Sequence, residues 1–426
     1  MKMNENVKAV ILAAGKGTRM KSEKPKVLHE IFNKPLVSWV LSACEDAGSL
    51  ENIVVVGHKG EMVSGFISKN HPKSVCVEQK EQLGTGHAVS MAKNELKDFS
   101  GNVLILCGDT PLITSDSLQK FIKFHAENDA DVTVMSAIID NPFGYGRIVR
   151  NEKGDVSEIV EQKDCDNAQK AIKEINAGMY CINWQKAKGF FNDLKNDNAQ
   201  KEYYLTDIIK WGNKEGLKVS GYVLENADET LGINSRGQLA EAFNIMNLRH
   251  LNKLMDEGVT IVSPENTQIS PETEIGEDTV VFPNTFINGK NKIGKNCKIG
   301  PFAHLRGDCT IEDFVKIGNF VELKKSYVKS HTNISHLSYV GDAKVGSNVN
   351  IGAGTITANY NSITKEKKET VINDGASIGS NTVLVAPVEL GEKAFIAAGS
   401  VITKDVGANA LGLTRCPQKE IKNYVK

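Results

Sequence analysis

The side chains best suited to chemistry in the second half of this sequence are two cations, a histidine and a tyrosine. Arg306 and Lys324 each follow an apolar residue, and the stretch ISHLSYVGDA then supplies His336 and Tyr339. Two neighbouring cations repel one another unless an anion lies between them or carboxylates such as Glu322 screen them. Histidine can act as a general base near neutral pH, although on an exterior strand it is usually only solvated. These residues indicate either an anion site beside a base or a solvated charge ladder.

The first half carries a glycine-rich turn, LAAGKGTRM, directly after its first apolar run. Gly15 and Gly17 allow close approach to the backbone, whose N–H groups can hold phosphate oxygens, and Arg19 and Lys26 add positive charge. The turn completes neither a dinucleotide fingerprint nor a Walker loop, so by itself it could be an ordinary strand-to-helix turn. Asp109 in LILCGDTPL follows another apolar run, where either a ligand-binding carboxylate or a turn cap is expected.

The elements that must position these side chains differ between the two halves. Residues 1–232 alternate apolar runs with helical stretches, which predicts a parallel sheet covered on both faces, in a Rossmann-like α/β domain. Residues 233–258 are predicted to form a linker helix, in which Ser235 and Gln238 make a capping box and Gly258 marks the end.

From Ile269 onward apolar residues recur every six positions, a period that fits neither a helix nor a plain strand. Such hexapeptide repeats predict a parallel β-helix over residues 259–426, in which each of these residues points inward. Three faces give a coil of about 18 residues, so Arg306 and Lys324 should stack about 4.8 Å apart on one face. The period slips by one residue twice and is broken once by the insertion ANYNSITKEKKET. The inward residues are predicted to be Ile269, Ile275, Val281, Ile287, Ile293, Ile299, Leu305, Ile311, Ile317, Leu323, Val328, Ile334, Val340, Val345, Ile351, Ile372, Ile378, Leu384, Leu390, Ile396 and Ile402.

Composition argues against several classes of function. The 51 basic and 52 acidic residues nearly cancel, so we expect neither nucleic acid nor a membrane as a partner. We expect no signal peptide in MKMNENVK, and no window has the apolar length of a membrane span. Eight scattered cysteines without a C-x-x-C pair indicate neither a zinc site nor a disulfide framework. The expectation is a reduced, soluble, cytoplasmic protein.

A series of motifs in the first half carries a resemblance to a known family. LAAGKGTRM, KPK, QLGTGHA, LILCGDTPL, GYGRIVR, IVEQKD, EINAGMY and GINSR occur in this order. Together with the hexapeptide repeats, they resemble the bacterial bifunctional N-acetylglucosamine-1-phosphate uridyltransferase/glucosamine-1-phosphate acetyltransferase family over nearly the whole chain. The second half in turn resembles the left-handed β-helix of the hexapeptide acyltransferases.

The resemblance implies two reactions. Acetyl-CoA acetylates glucosamine-1-phosphate, and the resulting N-acetylglucosamine-1-phosphate then takes the uridylyl group of UTP with release of pyrophosphate. The alternative is a sugar-phosphate nucleotidyltransferase whose β-helix is only a trimerisation or regulatory scaffold. Arg306, Lys324 and His336 favour the bifunctional enzyme, because a scaffold needs none of them.

The resemblance also implies roles for individual residues. Asp109 and Asn234 would hold Mg²⁺, and His336 would be the catalytic base of acetyl transfer. The nucleotide and sugar would contact Leu12, Ala13, Ala14, Gly15, Arg19, Lys26, Gln79, Gly84, Thr85, Gly146, Glu161, Asn176 and Asn234. Glucosamine-1-phosphate would contact Arg306, Lys324, Tyr339 and Asn350. Acetyl-CoA would contact Ala353, Asn359, Tyr360, Ser380, Ala398 and Arg415.

Two further expectations come from the resemblance. Hexapeptide transferases are typically trimers with sites between chains, so a homotrimer is expected. From Asn234 to Arg306 the chain is shorter than is usual for the family, by about one to two coils. The distance between the two domains and the completeness of the acetyl-CoA pocket depend on this shortening.

Overall fold

The structure is a computed structural model that describes residues 6–422 and residue 424. The chain divides into two compact units between Phe243 and Asn244. This division falls within the segment predicted to be a linker helix, and the domain limits at residues 232 and 258 stay predictions. Among the described helices, none combines the length and apolarity that crossing a membrane requires.

The first unit is built on a mixed sheet whose central strands are almost entirely apolar. The strands of the unit are β1 (Val7–Ala13), β2 (Glu30–Ile31), β3 (Lys34–Pro35), β4 (Asn52–Val56), β5 (Ser74–Glu78), β6 (Asn102–Cys107), β7 (Val132–Ile138), β8 (Arg147–Arg150), β9 (Val156–Val160), β10 (Glu174–Asn183) and β11 (Val219–Val223), of which β2 and β3 form a separate pair. The main sheet has the order β11-β7-β10-β6-β1-β4-β5. Because β6, β1, β4 and β5 run parallel, their carboxyl ends share one edge.

Apolar clusters cover both faces of this sheet. Ala9 and Ile11 of β1 belong to one cluster and Val10 to the other, as alternation along a strand requires. The helices are α1 (Leu36–Asp46), α2 (Gly60–Asn70), α3 (Thr85–Ser90), α4 (Ser115–Glu127), α5 (Asn167–Lys170), α6 (Trp184–Ala187) and α7 (Asp207–Lys214). Short 3₁₀ helices lie at Thr18–Met20, Lys26–Leu28, Met91–Lys93, Lys188–Asn192 and Ala227–Thr230. The prediction of an α/β sheet buried on both faces is confirmed.

One strand departs from the predicted parallel arrangement. β10 runs antiparallel to both β6 and β7, and the β8–β9 hairpin pairs with it. The physical reason is the connection, because β10 follows the β8–β9 hairpin and only the four-residue helix α5 lies between β9 and β10, which does not form a helical crossover. A register shift between Asn176 and Tyr180, where Gly178 has a φ of +72°, marks a bulge in this strand.

Helix α8 (Arg236–Asp256) lies where a helix was predicted. The Ser235 hydroxyl accepts a hydrogen bond from the Gln238 N–H at 3.2 Å, which is half of the predicted capping box. The Gln238 carboxamide accepts from the Asn234 N–H at 2.9 Å, one residue before the expected donor. At the other end Gly258 adopts a φ of +92° and its N–H bonds the Met255 carbonyl at 3.1 Å.

The second unit is a left-handed parallel β-helix. Its strands are β12 (Thr260–Ile261), β13 (Gln268–Ile269), β14 (Thr273–Ile275), β15 (Val280–Val281), β16 (Phe286–Ile287), β17 (Asn291–Ile293), β18 (Lys298–Ile299), β19 (His304–Leu305), β20 (Cys309–Ile311), β21 (Lys316–Asn319), β22 (Glu322–Val328), β23 (Asn333–His336), β24 (Tyr339–Val345), β25 (Asn350–Ile351), β26 (Ile356–Ala358), β27 (Thr370–Ile372), β28 (Ser377–Ile378), β29 (Val383–Val385), β30 (Val388–Leu390), β31 (Phe395–Ile396), β32 (Val401–Ile402) and β33 (Leu411–Gly412). A 3₁₀ helix spans Pro264–Asn266. Every residue predicted to point inward is buried in one continuous apolar core, so the hexapeptide interpretation is confirmed.

The two one-residue slips of the hexapeptide period have a structural cause. β22 and β24 each continue through a corner, where Lys325 and Asp342 adopt φ values of +47° and +48°. Leu323 therefore pairs with Val340, 17 residues later, instead of 18. The slips shorten by one residue the coils that carry Lys324 and His336.

Another corner of the β-helix bears an exposed apolar stripe. Phe302, Phe320 and Leu337 all have positive φ, which is unusual for bulky residues, and are 46%, 55% and 61% exposed. The Phe302 and Phe320 rings stack with centroids 5.1 Å apart.

Candidate functional sites

A cleft of about 250 Å³ lies at the carboxyl ends of the parallel strands of the first unit. It is lined by Leu12, Ala13, Ala14, Gly15, Lys26, Val27, Gln79, Gln82, Gly84, Thr85, Ala88, Cys107, Asp109 and Glu202. A Cβ on Gly15 would meet nothing within 4 Å, so the backbone there is open to a ligand. Gly17 has another role, because its Cβ would come within 2.7 Å of Lys26 Cβ. Arg19 is exposed and lies outside this lining.

Lys26 joins the two predicted metal ligands. Its ammonium donates hydrogen bonds to Asp109 Oδ2 and to Asn234 Oδ1, the latter at 2.9 Å. The Asp109 carbonyl accepts from the Ile233 N–H at 2.9 Å, and the Gln238 side chain holds the Asn234 backbone from the start of α8. The end of β6 and the start of α8 thus converge on one cation.

This pair of oxygen donors fits a small hard cation. One carboxylate and one amide oxygen already meet around a single ammonium, and both are ligand types that Mg²⁺ prefers. Over the described residues, no group of three or more His, Cys, Asp or Glu side chains could hold a metal ion. A divalent cation at Asp109 and Asn234 would therefore complete its shell with water and phosphate oxygens.

The opposite side of the cleft is formed by residues that come after strand β5 in the chain. Gln79 is 3% exposed, and its Nε2 lies 3.1 Å from the Gly84 carbonyl and 3.0 Å from Nδ1 of His87. Gly84 cannot be replaced without strain, since its φ is +120° and a Cβ would lie 2.6 Å from the Tyr203 carbonyl. The Thr85 hydroxyl accepts from the backbone of the same neighbouring segment, at the Leu205 N–H.

Gly146, Glu161 and Asn176 come together although they lie on three different elements. A Cβ on Gly146 would be 3.5 Å from Glu161 Oε1 and 3.6 Å from Asn176 Cβ. The Asn176 N–H bonds the Gly146 carbonyl at 2.9 Å, and its side-chain oxygen accepts from the Gly178 N–H in the bulge. Burial raises the pKa of Glu161.

On the β-helix, Arg306 and Lys324 occupy equivalent places on successive coils, as predicted from their spacing. Arg306 pairs with Glu322 at 2.8 Å, so one of the two cations has a carboxylate partner. Close contact with the Lys367 ammonium and its charge, followed by the charge of Arg306, lower the pKa of Lys324. Lys367 lies 3.9 Å from Asp342. Three cations and two carboxylates thus share this face, which leaves a local positive charge.

His336 lies at the end of β23 with its ring exposed. Its Nδ1 is 2.9 Å from Oδ1 of Asn319, which pairs with it on the preceding coil. With the Asn319 amide oxygen facing the ring, Nδ1 carries the proton and Nε2 presents a lone pair, because an amide oxygen only accepts hydrogen bonds. This is the tautomer that a general base requires.

Tyr339 and Asn359 lie beside the cationic face. Tyr339 pairs with Glu322 in the ladder, and its ring covers Gly341, where a Cβ would lie 2.3 Å from the hydroxyl. Asn359 is 7% exposed and its Nδ2 donates to Asp342 and, at 3.4 Å, to the Tyr339 hydroxyl.

The residues predicted to contact acetyl-CoA form a column. His336, Ala353, Ser380 and Ala398 each follow the inward residue of successive coils by two positions. Arg415 Nη1 donates to the Ala398 carbonyl at 3.1 Å at the far end. Asn350 lies on the same face, one coil beyond Asn333 of the His336 strand. Tyr360 stands apart from the column, in the insertion, where it forms an antiparallel bridge with Lys367.

Three residues near these sites were missed in the sequence. Lys367 lies in an insertion whose three lysines and two glutamates within ITKEKKET resemble a solvated charge run, so nothing in the sequence was a reason to single it out. Asn319 precedes His336 by one 17-residue coil, a spacing that the slip at Val328 could have revealed. His87 belongs to QLGTGHA, but only its neighbours were singled out.

Two family models match the chain. That of the nucleotidyl transferases matches residues 8–227, and that of the bacterial transferase hexapeptide repeats matches residues 292–325 and 369–404.

Curated relatives match nearly the whole chain. The Bifunctional protein GlmU of Caldanaerobacter subterraneus subsp. tengcongensis is 46% identical over 455 residues, which cover 99% of this chain and 98% of the relative. Those of Geotalea daltonii and Acetivibrio thermocellus are both 44% identical and cover 97% and 99% of this chain and 97% of their own. The 455 aligned positions against 426 residues leave at least 29 positions without a residue of this chain. The location of the shortening between Asn234 and Arg306 stays a prediction.

Proposed function

We propose a two-site mechanism for this chain, which belongs to the family of the bifunctional GlmU proteins. The enzyme transfers the acetyl group of acetyl-CoA to glucosamine-1-phosphate. It then transfers the uridylyl group of UTP to N-acetylglucosamine-1-phosphate and releases pyrophosphate. We assign acetyl transfer to the β-helix and uridylyl transfer to the α/β unit.

Acetyl transfer takes place beside His336. The amine of glucosamine-1-phosphate attacks the thioester carbonyl, Nε2 of His336 takes the proton from the nitrogen, and the thiolate of coenzyme A leaves. Asn319 holds the proton on Nδ1, which supports this role because it leaves Nε2 unprotonated. Arg306, Lys324 and Lys367 neutralise the sugar phosphate.

The acetyl-CoA lies along the column of Ala353, Ser380 and Ala398. Adjacent coils are about 4.8 Å apart, so the column gives an extended pantetheine arm a path of about 14 Å that ends at His336. Small side chains suit such a path, because they leave the backbone accessible. Asn350, Asn359, Tyr360 and Arg415 supply polar contacts around it.

Uridylyl transfer takes place in the cleft of the first unit. A phosphate oxygen of the sugar attacks the α-phosphorus of UTP, and the bond to the β-phosphate oxygen breaks. Asp109 and Asn234 would hold Mg²⁺, which would supply positive charge where the phosphates crowd. Lys26 moves from these oxygens to the phosphates, the backbone of Leu12–Gly15 approaches the nucleotide, and Arg19 closes over it from the exposed loop.

The amino sugar lies against Gly146, Glu161 and Asn176. A Cβ on Gly146 would lie 3.1 Å from Ile159 and would contact Glu161 and Asn176, so glycine keeps these two side chains in place. The Glu161 carboxylate accepts from the hydroxyls of the sugar. The Asn176 side-chain oxygen accepts from Gly178 and Tyr180, which fixes the amide so that its nitrogen can donate to the sugar.

The chain assembles as a homotrimer. The stripe of Phe302, Phe320 and Leu337 gives each copy an apolar corner to bury against the next, and such stripes on monomers mark interaction surfaces. Ile363, at the tip of the insertion, is 89% exposed beside the acetyl site and would contact a neighbouring chain. Light scattering should give three times the chain mass; a monomer with full acetyltransferase activity would refute this arrangement.

The enzyme works in the cytoplasm, where UTP and acetyl-CoA are available. All eight cysteines lie in described residues and are free, as a reducing compartment would leave them.

The cluster of Arg306, Lys324 and Lys367, together with the exposed imidazole of His336 held by Asn319, carries the acetyltransferase assignment. A trimerisation scaffold has no use for three clustered cations and an oriented base. The test is thiol release from acetyl-CoA with glucosamine-1-phosphate, run beside pyrophosphate release from UTP with N-acetylglucosamine-1-phosphate. Pyrophosphate release without thiol release would leave the β-helix as a scaffold only.

A further inference from the structure

The Gln79 side chain has a fixed orientation in the nucleotide cleft. The Gly84 carbonyl can only accept a hydrogen bond, so the side-chain atom 3.1 Å away must be the amide nitrogen. The same nitrogen is 3.0 Å from Nδ1 of His87, which must therefore accept the second amide proton. Both protons are used within the protein. No other described residue donates to Gln79 Oε1, although the residue is almost fully buried in the cleft wall.

The position of Gln79 in the sheet places it away from the phosphates. The sheet order is β6-β1-β4-β5, with Asp109 just beyond β6 and Gln79 just beyond β5. Three strand spacings of about 4.8 Å separate these ends. Lys26 and Asp109 lie on one side of the cleft, whereas on the other Gln79, Gly84 and Ala88 carry no charge and Glu202 lies beside Gly84. None of these four residues is a cation that would hold phosphate, so this side suits the base of the nucleotide.

An acceptor at this place distinguishes two pyrimidines. N3 of uracil carries a hydrogen and can donate to Gln79 Oε1, whereas N3 of cytosine is a lone pair that would face the oxygen. A rotated amide would present its NH₂ group and reverse the preference. Selection therefore depends on whatever keeps the amide from rotating.

We propose that His87 is a positioning residue that makes the cleft select uracil over cytosine, by accepting a hydrogen bond from Gln79 and holding its oxygen toward the base. This rests on the proposed uridylyl transfer and adds the origin of its base specificity. His87 itself need not touch the nucleotide. Gly84 provides one anchor for the amide and His87 the second.

Two substitutions at His87 separate positioning from packing. His87→Phe keeps a planar ring beside Tyr203, whose ring centroid is 6.2 Å away, but removes the acceptor. His87→Asn gives up the ring but puts an amide oxygen where Nδ1 lies. We expect the preference for UTP over CTP to fall about tenfold in the Phe variant, since a buried donor loses its partner. The Asn variant should restore most of it.

The readouts are the dissociation constants of UTP and CTP from calorimetry and the ratio of their kcat/KM values. In a Gln79→Leu background, His87→Phe should cause no further change in the ratio, because the two residues act as one unit. Equal losses for UTP and CTP in the Phe variant, or no rescue by Asn, would overturn the inference. The acetyl-transfer activity of each variant serves as the control for folding of the chain. If the wild type binds UTP selectively but transfers no uridylyl group, the proposed function fails while the binding ratios still test His87.

Discussion

In the first unit, Lys26 reaches across 208 residues to Asn234, while in the second, His336 meets Asn319 across 17. The nucleotide cleft gathers side chains from strand ends and loops that the α/β fold brings to one edge. In the β-helix, outside the insertion, each residue lies beside the residue one coil of 17 or 18 positions later in the chain. Sequence distance therefore predicts neighbours in the β-helix and says little about them in the α/β unit.

The difference has a consequence for substitutions. Each coil of a β-helix contacts mainly the coils beside it, so removing an exposed side chain should leave the rest of the β-helix unchanged. In the cleft, Lys26 donates to both Asp109 and Asn234, so removing Lys26 takes a partner from each of them, and removing either of the two takes a partner from Lys26. A substitution in the β-helix should therefore affect only its own site, whereas a substitution in the cleft should also disturb the residues that were bonded to the replaced side chain.

His336→Ala is expected to have the largest effect, and it tests whether the two sites are independent. Loss of a general base should reduce kcat for acetyl transfer by about 10²–10⁴-fold, with little change in the KM for acetyl-CoA. Uridylyl transfer should stay at the wild-type rate. The measurement is thiol release and pyrophosphate release from the same preparation.

His331→Ala is the matched control for that experiment. His331 is another exposed histidine of the β-helix, but it lies at a different corner and stacks on Phe314 with centroids 4.9 Å apart. Its removal should leave acetyl transfer intact. Near-normal acetyl transfer in His336→Ala would mean that the histidine is only a solvated residue.

Asp109→Ala makes the converse test in the α/β unit. It removes a proposed Mg²⁺ ligand and a partner of Lys26, so uridylyl transfer should fall about 10²–10³-fold while acetyl transfer persists. Binding of Mn²⁺, measured by electron paramagnetic resonance in the presence of UTP, should weaken as well. Asp116→Ala, at an exposed position in the first turn of α4, is the control. Full uridylyl transfer by Asp109→Ala at limiting Mg²⁺ would contradict the assignment.

The period of the β-helix could be predicted from the sequence, because one inward residue in every hexapeptide leaves a regular apolar signal. Ile269 through Ile402 are buried as expected, and the stacking of Arg306 on Lys324 followed from simple counting. The insertion has no such period. Asn359 and Tyr360 begin a loop whose path no repeat describes, so the position of Lys367 could not be inferred.

In the α/β unit, apolar runs predicted strands but not their directions. β10 was expected to be parallel like its neighbours, because the apolar pattern of a buried strand is the same in both orientations. The set of Gly146, Glu161 and Asn176 was visible only through the family resemblance. The positions of a glycine, a carboxylate and an amide along a hairpin do not show that the fold brings them together.

Lys367→Met should have a smaller effect, and it tests whether the unpredicted loop takes part in the acetyl site. Removing one of three cations should raise the KM for glucosamine-1-phosphate about tenfold, with kcat nearly unchanged, because the phosphate is held similarly in the ground and transition states. Lys365→Met, an exposed lysine two residues away, is the control. A rise in the KM for acetyl-CoA alone would assign the loop to the other substrate.

Asn319→Ala is expected to have the smallest effect. It tests whether the neighbouring coil of the β-helix orients the His336 ring. Without the Oδ1 acceptor, the ring can adopt the other tautomer, in which Nε2 carries the proton and cannot accept one from the amine. The loss in kcat should be about three- to tenfold, the contribution of one neutral hydrogen bond, with both KM values unchanged. Asn319→Asp keeps an acceptor in place and should retain activity. In a His336→Ala background, Asn319→Ala should have no further effect, because the amide acts only through the ring. An equal loss in both backgrounds would mean that Asn319 supports the coil itself, and the local character of β-helix substitutions would not hold at this position.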